Sequence, residues 1–225
     1  MPRRDYQESL EDLRLDVQQM GELVLERLDQ SLTALEHNNT ELAEDVIEGD
    51  DEINQRYLDL ESTCIDLFAL QQPVASDLRF IAASFKILTD LERIGDLATN
   101  LGRYTLAAGQ DPVSDVALYD IGTAAHALVA DALDAYVTED AAACRRVAER
   151  DDDIDALCHS ASERVVRDLI EGGATDGDPW SMEQVMDDVS VVLLTIRDLE
   201  RVADHGVNIA ARTLYLVESN PELIY

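Results

Sequence analysis

The polar residues with the most regular spacing belong to a segment that occurs twice. Its first copy is 90–100 (DLERIGDLATN) and its second is 198–208 (DLERVADHGVN), so Asp, Glu, Arg, Asp and Asn recur 108 residues apart. On a helix, side chains four residues apart share a face. Two strips of oxygen-bearing side chains are therefore predicted: Glu92, Asp96 and Asn100, and Glu200, Asp204 and Asn208. Carboxylate and amide oxygens are ligands that hard cations prefer.

Apolar residues at alternating steps of three and four predict the helices that carry these strips. In the first half, helices are expected at about 5–37, 40–71 and 73–107, the last with Leu78 at the start of its buried face. The second half repeats the plan. There, helices are expected at about 114–136, from Thr138 as a cap to the loop 172–179, and after that loop, where Met186 begins the buried face.

No segment shows the alternation typical of a strand, so the predicted fold is all-α. We expect two tandem three-helix bundles, made of six long antiparallel helices with an internal pseudo-repeat. The repeats are assigned to residues 1–108 and 114–225, and residues 109–113 are assigned to a linker. A repeated sequence of this kind indicates repeated structure.

Counting from the turns predicts which acids face one another, because helices joined by short turns pack antiparallel. Asp50 lies 22 residues before Gln72 in the predicted turn, while Glu92 and Asp96 lie 20 and 24 residues after it. The same count places further acids against Glu200 and Asp204 in the second half: Asp151, with Asp155 one turn beyond it. Two carboxylate clusters, each drawn from two helices, are thus predicted.

Carboxylates that converge in a bundle need a compensating positive charge, because like charges repel and burial penalises each of them. A divalent or trivalent cation is one solution. The second is a set of ordinary ion pairs with Arg93 and Arg201, joined by Arg79 or Arg197. The third is an acidic strip that simply faces solvent. Spacing alone leaves these alternatives open.

Composition limits the class of protein. Lysine and arginine number 17 against 48 aspartates and glutamates, a net charge of −31, with Lys86 as the only lysine. Nucleic acid is therefore excluded as an expected partner, since its phosphates would be repelled. The even spread of acids over amphipathic segments is typical of a protein adapted to high salt. The chain has no run of about 18 apolar residues, so we expect no membrane insertion and a cytoplasmic location.

Motifs for catalysis are missing from the sequence. It contains no Glu-x-x-His, the pattern that supplies imidazoles in di-iron bundles, and no nucleophile elbow or phosphate-binding glycine loop. We therefore expect a protein that is not an enzyme. The alternative is a bundle carboxylate protein that stores metal or acts as a di-iron oxidase.

The chain resembles the PhoU family of phosphate-uptake accessory proteins. The resemblance lies in segment 72–79 (QPVASDLR) followed by 90–96 (DLERIGD), and in 198–205 (DLERVADH) with Asn208. Segments around Asp50 and Asp151 also fit the family pattern, so the likeness covers nearly the whole chain.

This resemblance implies a metal-binding regulatory protein. Its Glu/Asp-x-x-x-Asp motifs, here Glu92 with Asp96 and Glu200 with Asp204, would bind divalent or trivalent metal ions, including multinuclear iron, zinc, manganese or magnesium. The implied role is negative regulation of a phosphate ABC transporter and of phosphate-starvation signalling. The implied partners are the transporter's ATPase subunit, a membrane sensor kinase and a second copy of the chain in a homodimer.

Overall fold

The computed structural model describes residues 3–70, 74–108, 116–172 and 179–224, and most of these residues lie in helices. Its helices are α1 (Arg3–His37), α2 (Thr40–Glu48), α3 (Asp50–Leu70), α4 (Ala75–Ala107), α5 (Leu118–Thr138), α6 (Ala141–Gly172) and α7 (Pro179–Glu218). No strand occurs in these ranges, and the predicted all-α fold is confirmed. Residues 109–113, the predicted linker, lie outside the described residues, and the assigned repeat bounds remain a prediction.

The second predicted helix is interrupted at Gly49 and forms two elements, α2 and α3. Gly49 keeps a helical conformation (φ −76°, ψ −6°), and its N–H donates to the Asp45 carbonyl oxygen. A methyl group added to Gly49 would lie 2.8 Å from Cζ of Arg27. The break makes Asp50 the first residue of α3. A carboxylate is favoured there by the positive end of the helix dipole.

Short polar side chains cap the starts of α2 and α6, whereas α4 and α5 begin at Val74 and Ala117 without a side-chain cap. Oδ1 of Asn39 accepts a hydrogen bond from the Leu42 amide at the start of α2. At α6 the cap is Asp140, which accepts from the amides of Ala142 and Ala143. The prediction of Thr138 as this cap is wrong: its hydroxyl donates to the Asp134 carbonyl oxygen at the end of α5.

The two repeats pack side by side over a shared core. The first consists of α1 to α4 and the second of α5 to α7, with α4 packed against α7 and α1 against α5. Buried apolar residues of both repeats form one contiguous cluster. Leu78 and Met186 were expected in this core but are 46% and 48% exposed, because they lie near the starts of α4 and α7, at the ends of the bundle. None of the helices described here is long and apolar enough to cross a bilayer.

Helices α1 and α5 meet through a reciprocal pair of glycine–leucine contacts. A Cβ on Gly21 would lie 2.7 Å from Cδ1 of Leu133, and a Cβ on Gly122 would overlap Leu32. Gly21 and Gly122 are 101 residues apart, and so are Leu32 and Leu133. Each repeat therefore offers the same glycine and the same leucine to the other, as in a two-fold symmetric interface.

We expect Gly122→Ala to lower the free energy of unfolding by about 1–2 kcal/mol, because the new methyl overpacks against the buried Leu32 side chain. Gly49→Ala is the matched control. Its methyl meets only the end of the long Arg27 side chain, which can rotate away, so stability should change by less than about 0.5 kcal/mol after the gain in helix propensity. Urea denaturation of both variants measures this difference. Equal losses in the two variants would refute the close contact.

Candidate functional site

The first carboxylate cluster lies between α3 and α4. Oδ1 of Asp50 accepts from the Thr99 hydroxyl at 2.9 Å, and Oδ2 accepts from Nδ2 of Asn54 at 3.0 Å. Burial raises the pKa of Glu92, and the negative charges of Asp96 and Asp50 raise it further. The pKa of Asp96 is also raised, by partial burial and then by Asp50. The structure therefore brings these three acids into one electrostatic group.

The second cluster lies between α6 and α7 and contains four carboxylates. Burial raises the pKa of Asp151 to about 6, and Asp155, Asp204 and Glu200 add to the effect. Burial also raises the pKa of Glu200 and of Asp204, and in both cases Asp155 is the largest charge that contributes. Asp151, Glu200 and Asp204 resist ionisation because each is partly withdrawn from water and repelled by neighbouring carboxylates, among which the exposed Asp155 acts on all three.

The two clusters differ in the hydrogen-bond donors around Asp50 in the first and Asp151 in the second. Position 54 holds an amide donor, Asn54, but the equivalent position 155 holds a carboxylate, and the hydroxyl donor Thr99 corresponds to Val207. Consequently Oδ1 of Asp151 is buried and has no hydrogen-bond partner in the described part of the chain. The second cluster thus has one carboxylate more than the first and lacks both donors.

Asn100 and Asn208 do not complete the acidic strips as expected. Nδ2 of Asn100 donates to Oδ2 of Asp198, and Nδ2 of Asn208 donates to Oδ1 of Asp90, both at 3.3 Å. The reason is helix geometry: with 3.6 residues per turn, a position eight residues on is rotated by about 80°. The expected strip therefore turns away from the acids, and both amides lie between α4 and α7.

Asp198, which the sequence reasoning did not single out as functional, is fully buried at this junction. It accepts hydrogen bonds from Nη2 of Arg197 and from the Tyr104 hydroxyl, both at 2.9 Å, and Arg201 lies 3.5 Å away. Burial and the bond to Asp198 raise the pKa of Tyr104. The signal was present in the sequence, since Asp198 begins the second copy of the repeated segment.

The equivalent residue, Asp90, pairs with the opposite repeat in the same way. Nδ1 of His205 lies 2.9 Å from its Oδ1, and both side chains are largely buried. Asp90 with Asn208 and Asp198 with Asn100 are thus reciprocal contacts. Arg201 and His205, in this junction, also counter the charges of both clusters: Arg201 lowers the pKa of Asp96 and of Asp204, and His205 lowers that of Glu92 and of Asp204.

The oxygen ligands of the clusters suit a hard cation, but the side chains are not positioned as a formed metal site. Among the described residues, no three His, Cys, Asp or Glu side chains are arranged to hold a metal ion together. Carboxylates alone are nevertheless suitable ligands, and the unpartnered oxygen of Asp151 would gain a partner from a cation. Asp151, Asp155, Glu200 and Asp204 are the residues that would hold it.

This arrangement defines an all-helical tandem-repeat protein with one carboxylate cluster in each repeat. The PhoU domain matches the chain twice, over residues 17–105 and 118–213. The chain therefore belongs to the PhoU family, as its sequence motifs suggested.

Similar proteins match along nearly the whole chain. A protein of Pseudomonas putida named phosphate-specific transport system accessory protein PhoU homolog is 35% identical over 95% of this chain and 81% of its own length. A homologue of the same name from Clostridium acetobutylicum is 30% identical over 96% of each chain. The crystal structure of the phosphate transport system regulatory protein PhoU from Streptococcus pneumoniae superimposes with a TM-score of 0.86 at 29% identity, covering 96% of this chain and 98% of that one. PhoU from Pseudomonas aeruginosa gives 0.82 at 32% identity, covering 96% and 100%.

We expect Asp151→Asn to stabilise the protein at pH 8 by about 1 kcal/mol, a value reduced for solvent screening. The folded-state pKa near 6 exceeds the unfolded value of about 3.9, so ionising Asp151 is less favourable in the folded protein than in the unfolded chain. Native Asp151 therefore destabilises the fold increasingly as pH rises from 4 through 6. The gain should therefore shrink towards pH 4. Urea denaturation with a chelator present measures it.

Asp50→Asn is the matched variant in the first cluster. Both oxygens of Asp50 accept hydrogen bonds, so the amide would present a donor to Thr99 or Asn54. Stability should fall by about 1 kcal/mol. A similar gain in both variants would contradict the inequivalence of the clusters.

We expect Asp198→Asn to lower the free energy of unfolding by about 1–2 kcal/mol, because it weakens the buried hydrogen bonds that Asp198 accepts from Arg197 and Tyr104, while the half-exposed arginines can turn to water. Asp90→Asn should have less than half this effect, since the Asp90 side chain is 14% exposed and Asp198 is fully buried. Chemical denaturation at pH 7.5 compares the two variants. A larger loss of stability in Asp90→Asn than in Asp198→Asn would contradict this prediction and show that the junction depends more on the contacts of Asp90.

Proposed function

We propose that the protein is a regulatory accessory protein of phosphate uptake that acts through protein contacts and not through catalysis. The observation that carries this proposal is the match of both repeats to the PhoU domain, with relatives named as phosphate transport accessory proteins that match 95–96% of this chain. The fold supports the same role, because two crystal structures titled as PhoU superimpose on it over 96% of the chain.

In the finer form of the proposal, the protein works in the cytoplasm as a negative regulator of a phosphate ABC transporter and of starvation signalling. Its partners are the transporter's ATPase subunit and a membrane sensor kinase, and it acts as a homodimer. Its surface, with a net charge of −31, is adapted to high salt. The regulatory role and the partners are those that membership of the PhoU family implies for this chain.

The proposal includes cation binding at the carboxylate clusters. A bound divalent or trivalent ion, such as iron, zinc, manganese or magnesium, would supply the positive charge that the acids lack. The protein's own contribution is positional: α6 and α7 hold Asp151, Asp155, Glu200 and Asp204 within one another's fields. The raised pKa of Asp151 and its unpartnered oxygen support this part of the proposal.

Metal analysis tests the cation. Protein purified without chelator and without a polyhistidine tag should contain bound metal, and adding Mn²⁺ or Fe²⁺ to stripped protein should raise its melting temperature. Asp151→Asn with Asp204→Asn should reduce both the metal content and the thermal shift by the share of the second cluster, whereas exposed Glu44→Gln with Asp45→Asn, which removes the same charge from α2, should leave them unchanged. Metal-free protein with no thermal shift would overturn cation binding. Oxygen consumption with ferrous iron would instead favour the oxidase alternative.

The regulatory role is tested by recovering the protein from phosphate-replete cells. We expect the ATPase subunit of a phosphate transporter to co-purify with it, and deletion of the gene to raise phosphate uptake under replete conditions. Unchanged uptake and no transporter subunit among the partners would overturn the role. Metal content and partner binding are independent readouts, so one can fail without the other.

A further inference from the structure

A cavity of about 490 Å³ lies where the two repeats meet at one end of the bundle, away from both carboxylate clusters. Four parts of the chain form its wall: the start of α1, the first turns of α4, the turn between α5 and α6, and the end of α7. The α4 portion belongs to segment 76–80, which includes part of the sequence motif that the carboxylate clusters do not use. We infer that this cavity is the docking pocket for a protein segment that carries an apolar side chain next to a lysine or arginine. This inference rests on the proposed function, in which the protein acts through protein contacts.

The apolar part of the cavity wall is the reason for expecting an apolar side chain in the docked segment. Leu10, Phe80, Leu216 and Val217 line the cavity. Val217 is 38% exposed, and Leu78, between two lining residues of α4, is 46% exposed. The volume lies within the range of about 300–1,000 Å³ that is usual for binding pockets. A buried apolar anchor of the partner would cover surface that the chain leaves in water.

The charged residues of the cavity wall are the reason for expecting a lysine or arginine in the docked segment. Arg14 is committed to Glu139 at 2.5 Å and to the Tyr136 carbonyl oxygen, and its guanidinium lies over the rings of Phe80 and Tyr136. Glu11 and Asp77 have no ion pair with a described residue, while Arg79 donates to the Ser219 hydroxyl. The lining thus holds three carboxylates and two guanidinium groups in a chain of net charge −31. Electrostatic complementarity favours a basic segment and disfavours a small anion.

Backbone conformation also distinguishes this cavity. Glu139 and Ser219 both line it and both have positive φ, 54° and 56°. The position equivalent to Glu139 in the first repeat is Asn38, which has φ 50° and is a residue type that tolerates this region. Glu139 and Ser219 each follow the last turn of a helix, where this conformation is common, and they place polar side chains beside Arg14 and Arg79 in the cavity wall.

Photo-crosslinking tests the occupant in cells that make the full protein. Val217→p-benzoylphenylalanine places the probe in the cavity wall, and Leu157→p-benzoylphenylalanine, 48% exposed on α6, is the control. We expect a protein adduct at Val217 but not at Leu157. The crosslinked peptide should carry an apolar residue within three positions of a lysine or arginine. No adduct at Val217, an adduct with a second copy of this chain, or an acidic peptide would overturn the inference.

Affinity then tests the recognition. A synthetic peptide of the captured sequence should bind wild-type protein, and Glu11→Gln with Asp77→Asn should weaken binding at least tenfold at low salt. Glu44→Gln with Asp45→Asn removes the same net charge from exposed positions on α2 and should change affinity less than twofold. Equal losses in the two variants, or competition by inorganic phosphate, would overturn the docking pocket.

The two proposals fail separately. If the captured partner has no part in phosphate uptake but binds through Glu11 and Asp77, the docking pocket stands and the proposed role falls. If the transporter ATPase co-purifies equally with wild type and with Glu11→Gln, Asp77→Asn protein, the proposed role stands and the docking pocket falls.

Discussion

The reciprocal packing of α4 against α7 is the constraint on which the rest of the structure depends. Each helix offers an aspartate and, ten residues later, an asparagine to the other, giving the pairs Asp90 with Asn208 and Asp198 with Asn100. The same helices carry the cluster acids Glu92, Asp96, Glu200 and Asp204. Fixing the rotation of α4 and α7 at their junction therefore also fixes the direction in which these acids face α3 and α6.

Electrostatic compensation in this protein is concentrated between the repeats and is sparse at the clusters. The only fully buried charge among the described residues, Asp198, is paired with Arg197 and Arg201. The cluster carboxyls keep raised pKa values although nearby cations oppose the shift, Arg93 foremost at Glu92 and Asp96, and His205 with Arg201 at Asp204. Buried charge is thus neutralised by direct pairing where the repeats meet, whereas the cluster acids that remain near water keep part of their mutual repulsion.

Much of the fold and part of the site could be predicted from the sequence. Helical periodicity and the 108-residue repeat gave the all-α fold, and counting from the turns placed Asp50 near Glu92 and Asp151 near Glu200. The break at Gly49 was missed because one glycine within a long periodic segment does not by itself end a helix. The roles of Asn100 and Asn208 were missed because spacing on one helix does not specify the neighbouring helix. Pairing between α4 and α7 is a tertiary property, and it brings Tyr104 and Asn100 of α4 to Asp198.

The glycine–leucine contacts between α1 and α5 show that the chain has the interface of a symmetric dimer within a single polypeptide. In a true dimer of identical chains, every substitution appears twice, and the two halves must stay alike. Covalent fusion removes that requirement. One half has the donors Asn54 and Thr99 around its aspartate while the other has Asp155 and Val207 at the equivalent positions, so a single chain can hold two related sites that differ in charge.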